Sequence, residues 1–222
     1  MFSFLSDARD LLRGSWAAVR ARRVFFFIVL PVLAISATLF FFPRDAAISD
    51  WVYQDRSEFI RDVARRFSAY GDFRLTLELF IAFLVLGVWK KRRKWQRLGI
   101  AVMLAGSLAG VFDSSIRLTT GRPRPSAKLP DHFTGPNLRN SKMQSFPSAH
   151  SATSMATATV IAVAVPSVGI PFFIFSMGVP WSRVYMHDHY MSDITVGSLI
   201  GVWFGLAFGL ALRKLNAPDK FQ

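Results

Sequence analysis

Six apolar stretches, Val24–Phe42, Leu75–Trp89, Leu98–Ile116, Ala149–Val165, Val168–Trp181 and Ile194–Leu212, divide the chain, and nearly all charge lies between them. A helix of ~20 apolar residues crosses the ~30 Å hydrocarbon core of a bilayer, where each backbone polar group must be paired within the protein. The first, third and sixth runs meet that length. The second, fourth and fifth are shorter and read as spans with polar or interfacial ends. The pattern predicts an all-α integral membrane bundle of six transmembrane helices with short interfacial helices, in one domain over residues 1–222. With 52% hydrophobic residues, 22 phenylalanines and only 18% charge, the composition excludes an ordinary soluble domain. The first run has a small-residue tetrad at 34–37, as a signal-peptide cleavage site would. Its apolar run continues to Phe42 behind a leader (1–23) that is long and basic, so it reads as an uncleaved anchor.

Lysine and arginine set the orientation. The leader carries Arg9, Arg13, Arg20, Arg22 and Arg23; the loop after the second run carries Lys90, Lys91, Arg92, Arg93, Lys94 and Arg97; the tail carries Arg213, Lys214 and Lys220. The 43–74 connection instead balances six basic against six acidic residues, among them Asp55, Arg56 and Asp72. The positive-inside rule then places both termini in the cytoplasm and segments 43–74, 117–147 and 182–193 on the periplasmic face of an inner membrane. The net charge of +13 is absorbed by this topology, and nucleic acid is set aside as a partner. With no cysteine, disulfide, thiol and zinc–thiolate chemistry are excluded. Two flanking stretches read as interfacial helices. One presents Leu5, Leu12, Trp16 and Val19; the other presents Phe59, Ile60, Val63 and Phe67, with Asp50 as its expected cap.

All three polar clusters fall on the external side: "RLTTGRPRP" at 117–125, "FPSAH" at 146–150 and "SRVYMHDHYMSD" at 182–193. Ionisable groups at span ends are costly unless they face a cavity or each other, which makes them functional candidates. Arg117, Arg124 and Arg183 offer forked donors for phosphate. Ser148 adds a hydroxyl, and the backbone N–H groups from Ala149 onward add the positive end of a helix. His150 and His189 can carry protons or attack phosphorus near neutral pH. Asp193, four residues after His189, is expected on the same helical face, holding one ring nitrogen. Asp113 stands four residues before Arg117 and is expected to orient it. Arg122, together with Lys128, Arg139 and Lys142 of the 126–146 insert, is a candidate for binding a lipid headgroup. His132 reads as a solvated loop residue. His187 has no acid four residues on, and no metal-ligand spacing accompanies the arginines, so neither a metal nor a cofactor is expected.

The spacing Arg117-x6-Arg124-Pro125, Pro147-Ser148-Ala149-His150 and Ser182-Arg183-x5-His189-x3-Asp193 resembles the three-part signature of the type 2 phosphatidic acid phosphatase family. Arg117 stands where that family usually has Lys, and Ala149 where it usually has Gly. The resemblance implies a metal-independent phosphatase. In it His189 attacks phosphorus with Asp193 holding its ring, and His150 protonates the leaving alkoxide and later activates water. Arg117, Arg124, Ser148 and Arg183 would hold the equatorial oxygens. The expected substrate is a phosphate monoester or pyrophosphate on a membrane lipid: undecaprenyl pyrophosphate, phosphatidylglycerol phosphate, phosphatidic acid or lipid A phosphate. A lipid phosphotransferase and a non-enzymatic lipid-binding or transport protein are the alternatives, and the sequence leaves oligomeric state open.

Overall fold

A computed structural model describes residues 4–54, 57–71 and 73–217. Asp55, Arg56, Asp72 and Lys220, counted above for topology, lie outside the described residues. Helices α1 (Phe4–Ala21), α2 (Leu30–Phe41), α3 (Asp45–Gln54), α4 (Glu58–Tyr70), α5 (Phe73–Trp89), α6 (Arg93–Thr120), α7 (Ala149–Ala164), α8 (Pro166–Ser176), α9 (Gly178–Tyr185) and α10 (Met191–Leu215) carry the fold, and there is no strand among the described residues.

Three segments are long and apolar enough to cross a membrane: Phe25–Tyr53, Arg93–Ala127 and Met191–Leu215. These are the first, third and sixth runs. The first extends well beyond Phe42. A π turn over Phe25–Val29, in which Leu30 N–H reaches Phe25 O, precedes Pro31, which has no N–H to give. A 3₁₀ turn at Phe42–Arg44 around Pro43 then passes directly into α3. Asp50 is therefore inside α3 and caps nothing; Ser57 precedes α4, without a side-chain cap bond. The fifth run, read above as one span, is two helices, α8 and α9, meeting at Met177. Pro166 opens α8 and Pro171 sits inside it, where it removes a helical hydrogen bond.

The bundle is built around α7, which packs on α10, α6, α5 and α8. Ala101, Ala105, Ala109, Ala152 and Ala156 are fully buried, and a Cβ on Gly201 would lie 2.4 Å from Ala152 O. Small residues let α7 and α10 approach backbone to backbone, which is how helices associate where lipid offers no hydrophobic drive. At one end, buried Asp7 of α1 pairs with Arg93 (2.8 Å) and Arg97 (2.9 Å) of α6. Arg97 also donates to Leu215 O (2.9 Å) at the end of α10. The leader is thus held against the bundle by Asp7, Leu11, Ser15 and Val19, and Leu5, Leu12 and Trp16 face outward. Val19 lies on the buried face, apart from Leu5, Leu12 and Trp16, with which it was expected to share one. The opposite end holds the 117–147 and 182–193 segments.

Candidate active site

His189 lies in the turn between α9 and α10, not on a helix. The N–H groups of Asp188 (3.1 Å) and His189 (3.2 Å) both close on Arg183 O. Its ring is 1% exposed, and Nδ1 stands 2.8 Å from Ser145 O. A carbonyl only accepts, so Nδ1 carries the proton and Nε2 keeps its lone pair. Asp193 is the more distant neighbour of Nδ1, at 3.5 Å. Asp193, expected to hold that nitrogen, pairs with it at this longer distance, and the carbonyl of Ser145 is the nearer partner. Asp193 also accepts from Ser145 Oγ (2.5 Å) and from Tyr190 N–H (2.8 Å), which caps the start of α10. Burial pushes the His189 imidazole below its ordinary pKa; Asp193 opposes that shift, and Arg183 and Arg124 reinforce it.

Two arginines, Arg183 and Arg124, act on this histidine, and a third, Arg117, acts on Arg124. Arg183 is 9% exposed, donates to Ser68 of α4 and pairs with Asp188 (3.0 Å). Its guanidinium stays charged. Arg124 faces the other oxygen of Asp188 at 3.6 Å. Asp188 thus bridges two of the arginines. Arg117 donates to Ser114 Oγ at a long 3.4 Å. In Arg117, Arg124 and Arg183 alike, Nε is buried and has no hydrogen-bond partner. Buried donors without a partner are costly in a finished core and suit a site that receives an anion.

Helix α7 starts at Ala149, as expected, with Ser148 before it. Ser148 is fully buried; its Oγ accepts from Ser151 Oγ (3.0 Å) and its N–H donates to Asp193 O (3.1 Å). His150 and Ala149 line a cavity of about 680 Å³ with Arg117, Ser114, Gly106 and Gly71. Val111, 65% exposed on the outer surface, also borders it. His189 is not among its lining residues.

The other candidates separate clearly. Lys128, Arg139 and Lys142 are exposed, as a headgroup site requires. Arg122 is not: it is fully buried and pairs with Asp45 (2.8 Å), Asp131 (2.6 Å) and Asp193 (2.6 Å), so it is corrected from a headgroup ligand to an internal charge. Asp113 is fully buried with both carboxylate oxygens lacking hydrogen-bond partners, so it does not grip Arg117 as expected. His132 is exposed and bonds to Pro130 O (3.0 Å). His187 stacks on Tyr53 at 4.4 Å between centroids. Asp45, Asp131, Ser145, Asp188 and Ser68 were missed as site residues; of these only Asp188 had a signal, its place inside "SRVYMHDHYMSD".

The family model of the PAP2 superfamily matches residues 95–216, which include every motif residue from Arg117 to Asp193. The chain belongs to the PAP2 superfamily. It is similar to two curated proteins named lipid A 1-phosphatase. That of Rhizobium johnstonii is 32% identical over 130 residues, 53% of this chain and 50% of the relative. That of Rhizobium etli is 26% identical over 220 residues, 87% of this chain and 88% of the relative. The chain thus spans about half the length of the first and most of the second. Its fold is similar to that of a PAP2-type phosphatidylglycerolphosphate phosphatase from Bacillus subtilis (TM-score 0.64, 21% identity, covering 90% of this chain and 98% of the other). It is also similar to Aquifex aeolicus LpxE (TM-score 0.54, 23% identity, 74% and 93%). PAP2 membership, the helical bundle and its long apolar helices agree on a membrane protein.

Proposed function

We propose that this PAP2 protein is a membrane lipid phosphatase that works through a phosphohistidine on His189. One observation carries the reading: Nδ1 of His189 is committed to Ser145 O at 2.8 Å, so Nε2 is left as the nucleophile, with Arg183 and Arg124 acting on the ring and each keeping a buried Nε donor open. Attack by Nε2 forms the N–P bond as the P–O bond to the lipid breaks. Arg117, Arg124 and Arg183 stabilise the charge spread over the equatorial oxygens. His150 gives its proton to the departing alkoxide, then takes one from the water that cleaves the N–P bond and releases inorganic phosphate. Its place beside Arg117 in the 680 Å³ cavity supports that role.

The substrate is a phosphorylated membrane lipid that enters the cavity from the bilayer side bordered by Val111. We rank a lipid A type 1-phosphate first because both curated relatives are named for that activity. The protein has six spans, α5, α7 and the α8–α9 pair being the short ones. Both termini are cytoplasmic, and the site opens to the periplasm. The purified protein is to be given lipid A, phosphatidylglycerol phosphate, phosphatidic acid and undecaprenyl pyrophosphate in turn. Release of inorganic phosphate, fastest from lipid A, is expected, unaffected by EDTA and inhibited by vanadate. Phosphate transferred to a second lipid instead would identify a phosphotransferase, and no turnover of any lipid would sink the reading.

A further inference from the structure

Arg122 is the largest fully buried side chain described, at 0% exposure, and its donors are all turned to protein. Nε and Nη2 hold Asp131 (2.8 and 2.6 Å), Nη2 also holds Asp45 (2.8 Å), and Nη1 holds Ser192 Oγ and Asp193 Oδ1 (both 2.6 Å). Phe42 and Tyr190 lie 4.7 and 4.2 Å from the guanidinium carbon. No donor remains for a phosphate. One cation also faces three carboxylates, which exceeds what neutralisation needs, so its geometry calls for a different explanation.

The backbone supplies it. Ser145 N–H donates to the carbonyl of Arg122 itself (2.9 Å), and Ser145 O accepts from His189 Nδ1 (2.8 Å). Ser145 Oγ donates to Asp193 Oδ2 (2.5 Å), whose other oxygen is held by Arg122. Three residues close a ring, Arg122 main chain to Ser145, Ser145 to Asp193 and Asp193 back to the Arg122 side chain, and His189 is attached to it through Ser145 O. We propose that Arg122 is the positioning residue of the nucleophile, orienting His189 through Ser145 and Asp193 without touching substrate. Asp45 and Asp131 extend the ring to α3 and to the 126–146 insert. Placement of that insert therefore becomes a condition for His189 to point at phosphorus. Arginine is required because only a planar fork can hold carboxylates on several sides at once.

The inference rests on the proposed phosphatase reading, and its test separates the two. Wild type, Arg122→Gln, Arg122→Lys and Asp131→Asn are compared for the rate of phosphoenzyme formation from an activated aryl phosphate and for vanadate inhibition. The arginine cradle is intact in every variant. Arg122→Gln should slow phosphoenzyme formation about 10- to 100-fold, the usual cost of losing a partner that orients a reacting group. Its vanadate inhibition constant should stay within about threefold of wild type, because binding to the cradle is a separate quantity from attack. Arg122→Lys should recover part of the rate, and Asp131→Asn should lose a smaller part by the same split. If Arg122→Gln does not fold, those two variants decide. Unchanged rates overturn the inference, as do rates and vanadate affinity that fall together. A wild type inert toward lipid and aryl phosphates alike sinks the phosphatase reading instead.

Discussion

At the scale of single residues, His189 is set apart by its partners and not by its type. His187, two residues earlier, stacks on Tyr53 in the α9–α10 turn, whereas His189 is buried with one nitrogen committed to a carbonyl. That difference was half legible in sequence. The i+4 aspartate singled out His189, but a main-chain acceptor such as Ser145 O has no side-chain signature. The same limit hid Arg122: a charge between two motif arginines reads as surface until its three carboxylates, 9 to 77 residues away, are seen to meet on it. The buried environment of His189 makes a pH prediction. Its pKa lies below the ordinary value near 6.5, so the neutral, attacking form persists as pH falls through that value. Phosphoenzyme formation at saturating aryl phosphate should stay level from pH 7.5 to below about 6.5 and decline only in more acidic solution. A limb centred above that value, moved by substitution at His189, would contradict the burial argument.

At the scale of elements, the contact of α7 with α10 sets the site. Gly197 and Gly209 both lie on the α10 face toward α7, but an added Cβ meets different atoms. At Gly197 it would lie 2.5 Å from the main-chain oxygen of Ser148, and at Gly209 2.8 Å from the Val163 side chain. A side chain can turn aside; the first-turn backbone of α7 cannot move without taking Ser148 and His150 with it. Gly197→Ala should therefore lose at least tenfold in turnover on top of an overpacking cost of about 1–3 kcal/mol. Gly209→Ala should change melting temperature more than turnover. Equal turnover in the two variants, measured beside their unfolding midpoints, would show that the Ser148 contact is not critical. The sequence made the long helices plain because their apolar runs come close to ~20 residues. It did not reveal the break between α8 and α9 at Met177, because the apolar run continues on both sides of it.

For the whole molecule, the proposed chemistry lies at one end of the bundle and the basic anchor at the other. Since the chain has no native cysteine, single cysteines report the sides directly. Ser126→Cys, in the exposed insert, should label with an impermeant maleimide in intact spheroplasts, and Lys94→Cys, exposed at the start of α6, only after lysis. The reverse would put the site in the cytoplasm. The central claim, that His189 carries the phosphoryl group, is tested most directly by trapping. Wild type, His189→Ala and His150→Ala are quenched during turnover of a radiolabelled activated aryl phosphate and probed for acid-labile, base-stable label. Wild type should show a transient phosphohistidine and His189→Ala none. His150→Ala should accumulate the intermediate, because a good leaving group needs no proton but release still needs an activated water. Label retained in His189→Ala, or its absence from all three enzymes during active turnover, would contradict the account.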